Sequence, residues 1–227
     1  MRLARIRRRL ARSLTEWRAP ARVDAFHRLY YDDFHQTWAQ TLWLGTRAFK
    51  CPFDLWMYQE LLAAIRPDLL VETGTAAGGS ALFLASCMDM LGNGRIVTID
   101  INDRADRPQH DRITYVHGSS VDPEVVDRVR GLAADARAVI VVLDSDHRRD
   151  HVLAEMRAYS TLVTQGSYLI VEDTNVNGHP VLPDFGPGPH EAVETFLAEG
   201  APFVRDRSCE RFLMTFNPGG YLRREED

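Results

Sequence analysis

Four carboxylates follow two apolar stretches of the sequence and could hold a metal ion. Asp144 and Asp146 follow one stretch, and Glu172 and Asp173 directly follow another. Buried carboxylates repel one another and favour a cation between them, and oxygen ligands suit Mg²⁺, Mn²⁺ or Ca²⁺ better than zinc. The alternative is that some of these acids cap helices or pair with arginines such as Arg148. We predict a divalent metal site formed by Asp144, Asp146, Glu172 and Asp173.

A histidine stands beside these acids in the sequence. His147 follows Asp146 directly, and a neutral imidazole at this place can take a proton from a substrate hydroxyl. A lone histidine is often structural, but the neighbouring acids favour a general base. His179 and Asp184, in a loop rich in proline and glycine, and His190 after it are interpreted as solvated residues.

The segment Val71–Ser80 contains three glycines at the end of an apolar stretch. Glycines let a ligand approach the backbone closely and let the next helix start tightly. No lysine follows the glycines, which disfavours a nucleoside triphosphate, and the acidic Glu72 favours a ligand with a positive amine. A tight strand-to-helix turn without a ligand is the alternative. The predicted ligand-binding residues of this segment are Glu72, Gly74, Thr75, Gly78, Gly79 and Ser80.

Polar residues also end the next two apolar stretches. Asp100 stands at the tip of the stretch after the glycine segment, where a carboxylate can accept hydrogen bonds from ribose hydroxyls. Ser119 and Ser120 follow the third stretch, and they either meet an adenine edge or cap the next helix. These three residues and Asp144 complete the set of candidate cofactor contacts.

The elements that must position these residues alternate between strands and helices. Strands separated by helices of about 10–15 residues indicate a doubly wound, mostly parallel α/β sheet, and ligands bind such sheets beyond the carboxyl ends of the strands. The long loop 174–189 is typical of a functional segment. The predicted strands are 69–72, 95–100, 113–117, 138–144, 166–172, 203–206 and 212–216; the predicted helices are 54–65, capped by Asp54, 78–91, 123–132, 151–163 and 190–199.

The N-terminal segment has a different composition from the rest. Apolar residues fall at helical spacing between arginines over residues 1–18, which predicts an amphipathic basic helix that ends at Pro20. Docking or oligomerisation, contact with an anionic surface, and a disordered arm are the alternatives. Residues 22–50 are rich in aromatics. We therefore divide the chain into a helical arm or cap, 1–45, and a main domain, 46–227, and predict a homo-oligomer held partly by the arm.

The overall composition excludes several classes of protein. The net charge of −5 argues against a bulk nucleic-acid-binding surface. The longest apolar runs are far shorter than the roughly 20 residues of a transmembrane helix, so we expect no membrane partner. Cys51, Cys87 and Cys209 are sparse and odd in number, which favours packing roles in a reducing compartment, with the cytoplasm as the default.

Taken together, these segments resemble the cephalosporin hydroxylase family. The resemblance is carried by Lys50–Trp56, Val71–Ser80, Thr98–Ile101, Leu143–His147 and Val171–Pro180, of which the last, with the letters VEDTNVNGHP, is the most specific. It implies a seven-stranded Rossmann-like class I methyltransferase fold, an S-adenosylmethionine site and a divalent metal. By the resemblance, the metal ligands are Glu172, Asp173 and either Asp144 or Asp146, with His147 as the nearby base.

The predicted function is therefore an O-methyltransferase that depends on S-adenosylmethionine and a divalent metal. The acceptor is predicted to be a hydroxyl of a small natural product, either a sugar or an antibiotic nucleus. One alternative is a non-catalytic accessory subunit that binds S-adenosylmethionine, although a pure binder needs neither His147 nor the acids. An NAD-dependent oxidoreductase is disfavoured because the G-x-G-x-x-G pattern is missing. Despite the family's name, no two-histidine, one-carboxylate iron site is evident.

Overall fold

The N-terminal part of the structure, a computed structural model that describes residues 19–225, is a helix followed by a small hairpin. Helix α1 covers residues 19–32, and a 3₁₀ turn spans Trp38–Gln40. Strands β1 (Leu42–Trp43) and β2 (Thr46–Arg47) pair antiparallel. The division that we placed between residues 45 and 46 falls in the turn of this hairpin. Helix α2 (Pro52–Ile65) then starts the main body, with proline in its first turn.

The main body is built on one seven-stranded sheet. Its strands are β3 (Leu69–Thr73), β4 (Arg95–Asp100), β5 (Ile113–His117), β6 (Val139–Leu143), β7 (Tyr168–Val171), β8 (Phe203–Arg205) and β9 (Tyr221–Arg224). The spatial order is β5-β4-β3-β6-β7-β9-β8. The first five strands in this order run parallel, and β9 is antiparallel to both neighbours. The predicted doubly wound, mostly parallel sheet is confirmed.

Helices cover both faces of this sheet. They are α2 and, further along the chain, α3 (Gly79–Leu91), α4 (Pro123–Ala133), α5 (Arg149–Tyr159) and α6 (Pro189–Ala198). Side chains alternate between the faces along each strand, so Leu69 and Val71 pack with α4, α5 and α6 whereas Leu70 packs with α2 and α3. Burial on both faces explains the continuous apolar sequence of β6.

The predicted closing strand 212–216 is wrong. The last strand is β9, and Phe216 instead packs against the aromatic residues Tyr30, Tyr31 and Trp38 of the N-terminal part. The reason lies in Asp54, which is fully buried. Its carboxylate accepts hydrogen bonds from the Thr215 hydroxyl and the Phe216 backbone N–H, so this stretch is held by a side chain rather than by a strand ladder.

Two helix boundaries also differ from the predictions. Asp54 does not cap α2, whose N-cap is Cys51. Pro20 does not end a helix within the described chain, because the backbone is helical from residue 19 to residue 32. The predicted basic helix 1–18 lies outside the described residues. The three cysteines are buried and free, as expected of packing residues, and none of the helices described is long and apolar enough to cross a membrane.

Candidate active site

The carboxyl ends of the parallel strands open into a crevice of about 520 Å³. Tyr31, Trp38 and Phe49 from the N-terminal part form one wall. The strand-end residues that line it include the predicted cofactor residues Gly74, Asp100, Ser119, Ser120 and Asp144, and also His147 and Asp173. The alternation of strands and helices therefore brings together residues that lie up to about 100 positions apart, as the sequence predicts.

Asp144, His147 and Asp173 form a compact group at one end of this crevice. One ligand atom of each lies within 4.8 Å of the others. The Nε2 atom of His147 is 3.2 Å from Asp173 Oδ2 and 4.0 Å from Asp144 Oδ1. Asp173 has a left-handed backbone, with φ of +53°, a conformation that is costly for a residue with a side chain and is common at functional sites. The two carboxylates of this group can hold a divalent cation, with the imidazole of His147 beside it.

The electrostatics of His147 follow from these neighbours. Burial lowers the pKa of an imidazole, because the charged form loses hydration. The carboxylates of Asp173 and Asp144 outweigh this effect, and the pKa of His147 lies above its ordinary value. His147 is therefore held next to anions that stabilise its protonated form.

Glu172 lies deeper than the group, and its main partner is a lysine. Lys50 is 2% exposed, and its ammonium donates to Asp144 Oδ2 and, at 2.5 Å, to Glu172 Oε1. The Tyr58 hydroxyl donates to the same Glu172 oxygen at 2.7 Å. Burial raises the pKa of both Glu172 and Asp144, while Lys50 opposes that shift.

Sequence reasoning assigned no role to Lys50, although a signal was present. Lys50 is the only lysine among the 227 residues, all other basic side chains being arginine or histidine. Its position just before α2, far from β6 and β7 in the sequence, hid its contacts with Asp144 and Glu172.

Asp146 lies outside the group. Its carboxylate accepts from the Arg148 backbone N–H at 2.9 Å and from the Arg148 guanidinium, and these hydrogen bonds lower its pKa to about 2. Because β6 ends at Leu143, Asp144 and Asp146 lie beyond the strand and have different partners. The structure thus shows Asp146 paired with Arg148, which was the alternative to metal binding. The role of Asp146 as a metal ligand stays a prediction.

The glycines of the segment 71–80 are required by the chain itself. Gly74 has a φ of +85°, and a Cβ atom there would lie 1.9 Å from the backbone oxygen of Asp144. A Cβ atom at Gly79 would lie 2.2 Å from the backbone oxygen of Arg47, and one at Gly78 would contact Pro108. Close approach of backbone to backbone therefore explains Gly74 and Gly79, and the φ of +84° explains Gly78. Only Gly74 among them lines the crevice.

Glu72 is fully buried at the end of β3. Its Oε2 accepts from the Thr98 hydroxyl at 2.7 Å, whereas Oε1 has no hydrogen-bond partner among the described residues. Burial raises the pKa of Glu72, and the Lys50 charge opposes this. A buried carboxylate oxygen without a partner is costly and fits a donor supplied by a ligand. Glu72 and the other candidates Thr75 and Ser80 are buried and do not line the crevice.

Asp100 lines the crevice but is already well bonded. Its carboxylate accepts from the backbone N–H groups of Ala76 and Asn102, each at 2.8 Å, and pairs with Arg107 at 3.1 Å. Arg107 also donates to the Ala76 carbonyl at 3.0 Å. Asp100 therefore fixes the loop after β3 in place, and a ribose contact by its carboxylate stays a prediction.

Ser119 and Ser120 also line the crevice. The N-cap of α4 is Asp122, so the alternative that these serines cap the helix is wrong. The Ser120 hydroxyl lies 3.2 Å from His151 Nε2, and the sequence had given no reason to single out His151. The spacing of His151 and Glu155, four residues apart on α5, is the sequence pattern that could have indicated their contact.

The loop 174–189 is held by α6 and α1. Glu191 on α6 accepts from Asn177 at 3.0 Å and lies 3.2 Å from His179 Nε2. His179 and His190 stack with ring centroids 3.8 Å apart, and the Asn175 amide lies 2.9 Å from His27 Nε2 on α1. His179 therefore belongs to the structure of the loop and lies outside the group of Asp144, His147 and Asp173.

A seven-stranded sheet in this order, with one antiparallel strand inserted before the last edge strand, defines the Rossmann-like fold of class I methyltransferases. The chain belongs to the rhamnosyl O-methyltransferase/CmcI family, whose sequence model matches residues 35–225. The resemblance to this family seen in the sequence motifs is thus confirmed.

Relatives in mycobacteria match most of the chain. It is 38% identical over 209 residues to the rhamnosyl O-methyltransferase of Mycobacterium tuberculosis, covering 89% of this chain and 84% of the relative. The rhamnosyl O-methyltransferase of Mycobacterium leprae is also 38% identical, with 89% and 90% covered.

Solved structures of low sequence identity share the fold. The Mg–SAM form of CmcI aligns with a TM-score of 0.64 at 22% identity, covering 83% of this chain and 78% of the other. The apo form aligns with a TM-score of 0.65 at 23% identity and the same coverage. At these identities the likeness supports the fold.

Proposed function

We propose that this protein is an O-methyltransferase that uses S-adenosylmethionine and a divalent metal, and that its acceptor is a hydroxyl of a sugar. The convergence of Asp144, His147 and Asp173 at one end of the strand-end crevice carries the proposal. The rhamnosyl O-methyltransferases at 38% identity support a deoxysugar acceptor over an antibiotic nucleus.

The residues present fit both groups. Asp144 and Asp173 turn carboxylate oxygens toward one another and toward His147, a set of acids that a divalent cation would neutralise. The unpartnered Oε1 of Glu72 fits the positive amine of S-adenosylmethionine. Gly74, Asp100, Ser119 and Ser120 line the part of the crevice next to it, where the nucleoside would lie.

When bound, the metal would lower the pKa of an acceptor hydroxyl. The carboxylates of Asp144 and Asp173 would bind the metal, and Glu172 lies behind them. His147 would receive the hydroxyl proton, and the adjacent Asp173 carboxylate would stabilise the imidazolium that results. Tyr31, Trp38 and Phe49 exclude water on the side of the N-terminal part. The chain thus contributes mainly orientation and proton acceptance.

A transfer assay tests the proposal. We incubate the purified protein with S-adenosylmethionine and a rhamnosyl glycoside, in the presence of either Mg²⁺ or EDTA. Mass spectrometry then measures the masses of the products. We expect a product heavier by one methyl group with Mg²⁺ and none with EDTA. Methylation at full rate in EDTA contradicts the metal, and cofactor binding without transfer to any glycoside favours the accessory-subunit alternative.

We also propose, as a separate point, that the protein is a homo-oligomer held partly by residues 1–45. Support comes from the exposed apolar side chains of α1, Phe26 and Leu29, which are 50% and 66% exposed. Light scattering of the full chain and of a Phe26→Ser, Leu29→Ser double variant tests this, and an equal assembly state in both contradicts it.

A further inference from the structure

Lys50 is a buried cation that the proposed reaction does not use. It precedes α2 and is 2% exposed, although lysine is among the residues that are almost never fully buried without a partner. Arginine and histidine supply every other basic side chain of the chain. A single lysine, buried between Asp144 of the crevice and Glu172, indicates a task for which arginine is unsuited.

Lys50 binds one carboxylate oxygen of each of two acids. Its ammonium donates hydrogen bonds to Oδ2 of Asp144 and to Oε1 of Glu172. Oδ1 of Asp144 is left on the side of His147, 4.0 Å from its Nε2. A compact ammonium with three donors fits between two carboxylates, whereas the planar guanidinium of arginine is larger and favours paired contacts with one carboxylate.

The charges of the site balance only when Lys50 is counted. We define the acid cluster as Asp144, Glu172 and Asp173, which carries three negative charges when ionised. Lys50 offsets one of them, and a divalent cation offsets the other two while the His147 imidazole is neutral. Without Lys50, the same divalent cation would leave a buried negative charge, which is costly.

We propose that Lys50 is a positioning residue that holds Asp144 and Glu172 by one oxygen each and sets the charge of the acid cluster to match a divalent cation. The proposal rests on the divalent metal of the proposed function. It predicts that removal of Lys50 raises metal affinity but lowers turnover. The uncompensated negative charge attracts the ion, while the two carboxylates lose their alignment.

The test compares Lys50→Met with the wild-type chain at about pH 8.5, where carboxylates are ionised. We expect Lys50→Met to bind Mn²⁺ roughly tenfold more tightly by calorimetry, because one positive charge near the ion is gone. Turnover should fall roughly 100-fold, the scale of losses when residues that orient metal ligands are changed. If Lys50 had only a packing role, the substitution would lower both metal affinity and turnover.

Two variants separate charge from hydrogen bonding. Lys50→Arg keeps the charge, so Mn²⁺ affinity should stay near the wild-type value while turnover falls. Tyr58→Phe removes the neutral donor to the same Glu172 oxygen, so it should leave Mn²⁺ affinity within about twofold. Parallel losses of affinity and turnover in Lys50→Met, or no change in either, overturn the proposal. Absence of Mn²⁺ binding to the wild-type chain instead rejects the metal of the proposed function.

A measurement on the unmodified chain does not depend on how the variants fold. Reductive methylation can modify only the α-amino group and Lys50, and peptide mass spectrometry separates the two. We expect the α-amino group to react fully while Lys50 stays unmodified in the native protein and reacts after denaturation in urea. Reaction of native Lys50 at the rate of the α-amino group shows that its ammonium is not held between Asp144 and Glu172, and overturns the proposal.

Discussion

The acids at the ends of β6 and β7 behave differently from those at the ends of β3 and β4. Asp144, Glu172 and Asp173 face one another and share Lys50 and His147. Glu72 and Asp100 lie apart, and hydroxyl groups, backbone N–H groups and Arg107 bond them separately. Both pairs of strands offer acids at the same edge of the sheet, but only in the first region do the carboxylates converge on the same partners.

The difference shows that counting strand-end carboxylates is insufficient to locate a metal site. An acid that is fully bonded by neighbouring donors has no reason to bind an ion, whereas converging acids with a charge deficit do. Asp146 makes the point within a single segment, because it is two residues from Asp144 yet pairs with Arg148.

The largest effect should come from breaking the acid cluster. Asp144→Asn should lower turnover by ~10⁴-fold, because loss of a charged ligand removes several kcal/mol of metal-dependent stabilisation. Asp146→Asn is the matched control and should stay within about threefold, since its partner is a surface arginine. Steady-state methyl transfer at saturating Mg²⁺ measures both. Equal losses in the two variants would place Asp146 in the site and remove the distinction between the two acids.

His147→Ala should lower turnover by ~10²- to 10⁴-fold, the usual contribution of a general base. Affinity for S-adenosylmethionine should be almost unchanged, because the crevice residues Gly74, Asp100 and Ser119 remain in place. Turnover is followed by mass spectrometry and cofactor binding by calorimetry. Wild-type turnover in the variant makes His147 a structural residue and leaves another group to accept the proton.

Gly74 joins the two regions, because it brings the end of β3 against the backbone of Asp144. Gly74→Ala should lower the free energy of unfolding by about 3 kcal/mol or more, since the new Cβ atom meets a backbone oxygen at 1.9 Å. Gly92→Ala is the control: Gly92 also has positive φ, but no atom lies within 4 Å of its Cβ position. It should cost only about 1 kcal/mol. Urea denaturation measures both, and equal costs contradict the importance of the close approach.

The smallest effect concerns His27, which joins α1 to the loop after β7. Burial lowers the pKa of His27 from 6.5 to about 4 despite the charges of Asp24 and Asp173. The unfolded chain therefore binds more protons between these values, and stability falls as the pH drops below 6.5. The contribution lost near pH 5 is about 2 kcal/mol. His27→Gln should show a smaller loss between about pH 7.5 and pH 5, and an identical pH dependence would exclude His27 as a cause.

The sequence by itself determined the sheet and most of the crevice lining. Short runs rich in apolar and β-branched residues, of which Val139–Leu143 in β6 is the most continuous, are sufficient to place β3 to β7, because strands buried on both faces leave a strong signal. In a parallel sheet the residue after each strand falls at one edge, so Asp100, Ser119, Asp144 and Asp173 could be assigned to one crevice without coordinates. The family could be identified from the motifs at the same positions.

Only the tertiary structure decided which of these residues act together. Long-range contacts carry no local pattern, so Lys50, 94 residues before Asp144, could not be joined to the acid cluster from spacing alone. The stretch 212–216 looked like a strand because its apolar residues are typical of one, yet Asp54 binds its backbone instead. Residue type fixed which groups could carry charge, whereas packing of α2 against β6 and β7 decided which charges meet and which remain for a ligand to neutralise.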